Sequence, residues 1–363
     1  MCLQLKYAGL NGLFFNVDGL VNPQFHQRAT SLLNSSKAIS TWKAAKSVLK
    51  KIWEAEPVVG DLSFPWDDYK TANFVCYLDQ CGFRVSSINT YLGHLKTLHA
   101  VNGYYWQGLS DPRIKMLIKG IGNTQPVVQR PIAVTPDVLF LILQKLRTVD
   151  WPKIRKRLCW AVCLTLFCGS LRTGEALGNH ARSFHPDTSL LGRNVKKENI
   201  IVNGNSETFI FLEIESPKTG SPLSVELLST WKCNCPVKAV TKYLASLPFA
   251  VKDDLPFFRK ESGWAYSHSN FSSDIMFLLN PVLGHHRVVP HSFRAGASTA
   301  LARMGESDQS LCIQGRWNSE SYKRYCRKNR ALLLSDQHRI MNNLAQVATA
   351  WDPSLLVTTT LVE

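Results

Sequence analysis

The spacing of apolar residues changes period twice along this chain, and that constrains its fold more than any other feature. From residue 39 to about 121 they recur at steps of three and four. Ile39, Trp42, Ala45, Leu49 and Ile52 share one helical face. So do Phe74, Val75, Leu78 and Cys81, then Ile88, Tyr91, Leu92, Leu95 and Leu98, then Ile114, Leu117 and Ile118. Gly82 and Gly103 are placed to close the second and third of these helices, Ser86 or Ser87 to cap the third, and Asp111-Pro112 to open the fourth, which should end near Gly120. Between residues 200 and 225 the period drops to two. Ile200–Val202, Thr208–Glu215 and Ser221–Val225 alternate and carry β-branched and aromatic side chains, which predicts a small antiparallel sheet. The helical period then returns over Pro236–Leu247, Asn270–Leu279, Ser292–Met304 and Gln309–Ile313. The expected fold is mainly α with a small antiparallel β-sheet.

Length and punctuation divide the pattern. The 363 residues suggest two domains at roughly 100–200 residues each. Residues 1–36, with Gly9, Gly12 and Gly19, read as a loosely held arm, and 37–122 as an all-helical domain. The polar, proline-flanked stretch 123–131 reads as a linker and 132–330 as a second, mixed domain. That domain opens on a helix capped at Thr135 and continues with an apolar one over Ile154–Cys168. A tail, 331–363, contains an amphipathic helix with Leu333, Ile340, Leu344 and Val347 on its apolar face.

Charge narrows the function. The chain holds 42 Lys and Arg against 27 Asp and Glu, a net charge of +15. Both halves share the excess: 14 against 8 up to residue 130, and 28 against 19 after it. A polyanion touched by both domains accounts for this better than a basic tail would, and a phosphate backbone is the commonest such partner. The apolar fraction of 45% excludes wholesale disorder. No long uncharged apolar window or signal-peptide pattern appears, so a soluble intracellular protein with reduced cysteines is expected. Lys153–Arg157 fits either a nuclear localisation signal or the exposed start of a helix.

Four short segments carry possible chemistry, and each alone has an ordinary explanation. In Gly169-Ser170-Leu171-Arg172-Thr173-Gly174-Glu175 an apolar helix stops, and Arg172 and Glu175 follow three apart, a common local ion pair. Lys218 sits at the tip of the turn Glu215–Gly220 between two expected strands. His291 and Arg294 lie in the first turns of a helix, on one side and beside the positive end of its dipole, a natural seat for a phosphate. The fourth segment, Gly315–Arg327, offers the indole of Trp317 and the phenols of Tyr322 and Tyr325 in a basic setting.

Taken together and in order, Arg-x-x-Glu, hairpin Lys, His-x-x-Arg, Trp and Tyr resemble the catalytic series of the tyrosine recombinases, the phage-integrase family. The resemblance covers about 131–330, and residues 37–122 look like that family's helical, SAM-like core-binding domain. The eight-residue step from Trp317 to Tyr325 is close to the family's own, and the run from Gly315 to Tyr325 is similar to that of the Crypton-type mobile-element recombinases. Membership implies a two-domain clamp on double-stranded DNA, a core-binding domain and a mixed α/β catalytic domain, and assembly as a tetramer whose tail helix docks in cis or in trans. A eukaryotic host would place the protein in the nucleus, any other in the cytoplasm or nucleoid.

The resemblance also assigns roles that the chemistry supports. Strand transfer without a metal or ATP needs fixed cations on the phosphate oxygens of the transition state. Arg172 and Arg294 supply planar forks that stay protonated. His291 and Trp317 would donate to the same oxygens, and His291 could accept the phenol proton. Tyr325 is the expected nucleophile, with Tyr322 as the alternative, and the product is a 3′-phosphotyrosyl link. Lys218 would protonate the departing 5′-oxygen, and Glu175 would orient Arg172 or His291. No cofactor is implied.

Other readings fit the sequence less well. Cys233-x-Cys235 with His285 and His286 is too short and incomplete for an ordinary zinc site. No Walker, GxGxxG or HExxH motif occurs. A type IB topoisomerase uses a similar residue set, but the separate helical domain and the tail favour recombination. A DNA-binding protein derived from a recombinase, its catalysis dispensable, is the remaining alternative.

Overall fold

The computed structural model describes residues 20–37, 39–108, 110–126, 131–178, 184, 189–202, 205–215, 222–230, 234–284, 287–317 and 323. The chain divides into two compact units, 1–128 and 129–363.

The described part of the first unit is helical: α1 (His26–Ser35), α2 (Ile39–Glu54), the one-turn α3 (Glu56–Val59), α4 (Asp68–Gln80), α5 (Val85–Val101) and α6 (Pro112–Thr124). Its core joins Ala45, Val48, Leu49 and Ile52 of α2 to Phe74, Val75 and Leu78 of α4 and to Ile88, Leu92, Leu95 and Leu98 of α5, the stripes that the periodicity marks. Both expected glycine stops take the left-handed conformation, Gly82 at φ +76° and Gly103 at φ +79°. The amides that follow them, of Phe83 and Tyr104, donate back to Leu78 O (3.0 Å) and His99 O (2.9 Å).

Three expectations for this unit are corrected. Residues 26–35, expected within a loose arm, form α1, whose end is tied down where the Trp42 indole donates to Asn34 O at 2.8 Å. The glycines behind that expectation all lie upstream, outside the described residues. α5 starts at Val85, ahead of either serine, because its amide is capped from afar: Gln125 Oε1 accepts from Val85 N–H at 3.2 Å and Gln125 Nε2 donates to Phe83 O at 2.9 Å. α6 runs past Gly120 to Thr124, so residues 123 and 124 of the expected linker close a helix.

A histidine lies at the centre of this core. His99 is fully buried, its Nε2 accepts from the Trp66 amide at 2.9 Å, its Nδ1 faces Leu95 O at 2.8 Å, and its ring stacks on Trp106. Burial pushes its pKa below the ordinary histidine value, because a proton on Nε2 would confront the Trp66 N–H in an apolar pocket. With the folded value depressed, both states are neutral above about pH 6.5, and below it the unfolded chain takes up the proton first. Stability should therefore fall on acidification, by up to about 1.4 kcal/mol per pH unit below pH 6.5. Urea titrations at pH 7.5, 6.5 and 5.5 measure this, and a slope that His99→Gln leaves unchanged would refute it.

The second unit is built on α8 (Lys153–Cys168), preceded by α7 (Pro136–Thr148). Ile154, Leu158 and Cys159, then every residue from Ala161 to Leu166, are buried, as expected of a helix apolar on several sides. The one-turn α9 (Thr173–Ala176) follows, then β1 (Val195–Val202), β2 (Asn205–Ile214) and β3 (Leu223–Leu228), then α10 (Pro236–Leu244), α11 (His268–Leu283), α12 (His291–Arg303) and α13 (Asp308–Gly315). The helix α8 packs against α7, α10 and α12.

The sheet has the order β1-β2-β3, antiparallel throughout, with Val195 opposite Leu212 and Ile210 opposite Leu227. Ile210, Leu212, Ile214, Val225 and Leu227 turn into the core. β1 begins five residues before the expected strand because 196–201 are exposed on both faces, so no alternation marks them. Its pairing shows instead in Lys196 Nζ reaching Glu213 Oε1 at 2.7 Å. At the start of α12 the chain segment around Val134 crosses so closely that a Cβ on Gly296 would lie 1.8 Å from Val134 O.

The basic start of α8 has structural partners. Arg155 Nη2 donates to the buried Asp274 at 2.6 Å and its guanidinium lies 4.0 Å from the Trp151 ring, while Arg157 reaches Lys242 O. Cys235 caps α10, its Sγ accepting from the Lys238 amide at 3.3 Å, and Cys233, His285 and His286 lie outside the described residues. Among the described residues no helix is long and apolar enough to cross a membrane, and no cluster of ligating side chains could hold a metal.

Candidate active site

The site begins where α8 ends. Gly169 is tightly enclosed, since a Cβ there would meet Thr165 O at 2.8 Å, and Ser170 takes the left-handed conformation at φ +45°. That turns the chain sharply, buries Leu171 and delivers Arg172 as the N-cap residue of α9. Glu175 closes the turn: its Oε2 accepts from the Arg172 amide at 2.8 Å and its Oε1 from Arg172 Nη1 at 2.7 Å. The i,i+3 pair of the sequence is thus a capping arrangement and an ion pair at once.

The remaining parts come from the far end of the unit. Arg294, in the second turn of α12, is 1% exposed and donates from Nη1 to Ser170 O at 2.8 Å and from Nη2 to Gly315 O. Its Nη1 stands 4.0 Å from Glu175 Oε2. Trp317 lies over the guanidinium, 5.0 Å from ring centre to Cζ. Gly315 is where that indole packs, for a Cβ there would meet the Trp317 ring at 1.9 Å. His291 is the first residue of α12, one turn before Arg294, and is exposed. Residues 172, 175, 294 and 317 are therefore brought together across 145 positions of sequence, with His291 at the head of the helix that carries Arg294. Lys218, Tyr322 and Tyr325 lie outside the described residues.

One member of the site was not expected. Arg316 donates from Nη1 to Gly169 O and from Nη2 to Ser170 O, both at 2.9 Å, with Nη2 3.7 Å from Glu175 Oε2. The signal was its place between Gly315 and Trp317 in a motif already singled out, but nothing local says that its side chain turns back to α8. Among the described residues three guanidiniums consequently surround one buried carboxylate, a cluster that is positive on balance. Such a locus attracts an anion, and Arg172, its side chain 26% exposed, is the most open of the three.

No family model and no curated protein matches the sequence. Solved structures do resemble the fold. The Tn1549 transposon integrase in complex with a circular intermediate DNA is 13% identical, with a TM-score of 0.54 over 90% of this chain and 99% of that one. The XerH site-specific recombinase bound to its palindromic difH substrate is 14% identical, with a TM-score of 0.55 over 82% and 78%. A lambda integrase dimer bound to a COC′ core site is 13% identical, with a TM-score of 0.50 over 84% and 76%. At these identities what is shared is architecture, and the mainly helical chain with its three-stranded antiparallel sheet has the fold of the tyrosine recombinases.

Proposed function

We propose that this protein is a site-specific DNA recombinase or transposase that cuts and rejoins DNA strands through a 3′-phosphotyrosyl intermediate. The observation that carries the reading is the convergence of Arg172, Arg294 and Arg316 on Glu175 within this fold. A phosphodiester in a pentavalent transition state gains charge on its non-bridging oxygens, and fixed guanidiniums stabilise that charge without reorganising. Arg172 is the first that a phosphate would meet. The Tyr325 phenol attacks phosphorus, its proton passing to His291, and the bond to the 5′-oxygen breaks as Lys218 supplies a proton there. A lysine can serve as this acid only with a lowered pKa, which Arg172 and Arg294 would promote if the hairpin brings Lys218 beside them. A phenolate is a good enough leaving group for the step to run backwards, and rejoining needs that.

The net charge of +15 and the DNA held by the structural relatives support duplex DNA as partner. The core-binding and catalytic units would grip it as a clamp, and recombination between two sites would call for a tetramer, its tail helices docking in cis or in trans. The motif from Gly315 to Tyr325 favours the Crypton-type branch. One observation favours the second reading, a duplex-binding protein without cleavage: Arg294 is enclosed, with both terminal nitrogens on carbonyl oxygens. One experiment separates the two. A duplex carrying the element's terminal sequence, nicked so that cleavage traps the enzyme, should yield a protein–DNA adduct on a denaturing gel, with EDTA present or absent. Duplex binding with no adduct on any terminal sequence would leave only the second reading.

A further inference from the structure

The strand-transfer reading counts Arg316 among the converging cations but assigns its side chain no task of its own, and its geometry is costly. It is the C-cap of α13 at φ 51° and ψ 52°, a left-handed conformation in which a side chain is disfavoured and glycine is the usual residue. Its guanidinium is mostly buried, and its Nε is sealed from solvent with no hydrogen-bond partner among the described residues. Burial, and the charge of Arg172, pull its pKa below the ordinary arginine value against the attraction of Glu175. A glycine would satisfy the backbone at lower cost.

What the side chain does in return is local to the site. Gln314 Nε2 donates to Cys168 O at 3.1 Å, and Arg316 covers the next two carbonyls, of Gly169 and Ser170. Ser170 O accepts from Arg294 as well, so two guanidiniums hold one carbonyl of a left-handed, non-glycine residue. Arg172 follows two positions later. If Ser170 relaxed out of that conformation, the next peptides would rotate and swing Arg172 and the cap formed by Glu175.

We propose that Arg316 is a positioning residue: it pins the turn at Gly169 and Ser170, the carbonyl of which also seats Arg294, and thereby aims Arg172 at the anion. The inference rests on the strand-transfer reading for its kinetic consequence, though not for its structural one. A displacement of about 1 Å at a reacting centre costs on the order of 100-fold in rate.

The test uses the full chain with Arg316→Gly, which suits the left-handed backbone, and Arg316→Lys, which keeps a charge near Glu175 and can reach one carbonyl. In R316G, single-turnover adduct formation should fall about 10- to 100-fold with duplex affinity within about threefold of the parent, and R316K should recover part of the rate. A residue that only caps α8 would change the melting temperature and leave the rate alone. Hydrogen exchange read by mass spectrometry gives an answer independent of cleavage. Peptides covering 169–176 should exchange faster in R316G while those covering 74–101 do not change. An unaltered cleavage rate, a loss of affinity equal to the loss of rate, or unaltered exchange at 169–176 would each overturn the assignment. A parent protein that forms no adduct removes the strand-transfer reading, and the exchange data still decide whether Arg316 holds the turn.

Discussion

Tyr325→Phe is expected to eliminate the covalent protein–DNA adduct and lower strand cleavage by at least about 10⁴-fold, the scale on which enzymes lose rate when a nucleophile is removed. The argument is chemical. The covalent step needs an oxygen that can attack phosphorus and later leave, and a phenol with a pKa near 10 does both, whereas a phenyl ring does neither. Duplex affinity should change little, because it is carried by cations spread over both halves of the chain. Tyr322 lies three positions earlier in sequence, so the experiment needs its counterpart. An adduct that survives Y325F and disappears with Tyr322→Phe would reassign the nucleophile, and one that survives both would end the phosphotyrosyl mechanism.

Glu175→Ala should produce the largest loss of stability in the second unit. The carboxylate is 5% exposed and lies 2.7 Å from Arg172, 3.7 Å from Arg316 and 4.0 Å from Arg294. Removing it takes a nearby negative charge from a fully buried guanidinium and a largely buried one and deletes the cap on α9. Breaking a buried pair in this way costs about 3–5 kcal/mol. For a unit of this size each kcal/mol lowers the melting temperature by roughly 2–4 °C, so a fall of about 10 °C is expected by calorimetry. Glu175→Gln keeps the acceptor for the Arg172 amide and loses only the charge, and should fall in between. An alanine variant melting within about 2 °C of the parent would show that the three arginines do not depend on this carboxylate.

How far the site could be read in advance varies with each residue's partners. Arg172 and Glu175 are three apart, so spacing alone implied their contact, although not that Glu175 also takes the Arg172 amide or draws two further arginines. His291 and Arg294 were placed by helical spacing on one side of α12. Burial nevertheless separates them, one exposed and the other sealed beneath Trp317, because the enclosing atoms come from residues 170 and 315. Arg316 carries no local signal of its place because its hydrogen-bond partners lie 146 and 147 positions earlier. The same distance effect misplaced the start of α5, capped by Gln125 forty residues downstream. The first five residues of β1, ahead of the expected Ile200–Val202, are hidden for the opposite reason: with both faces solvated they have no hydrophobic period.

Helix faces, glycine stops and the single stretch of alternating residues were legible because each depends on neighbours a few positions away, where backbone geometry alone dictates which side chains meet. Charge likewise pointed to a polyanion before any fold was known. Which cations share a carboxylate, which guanidinium remains open to an anion and which backbone carbonyls orient it were settled only when α8, α12 and α13 packed around the turn at Ser170. Contacts between residues far apart in the chain arise from packing, and no local pattern encodes them.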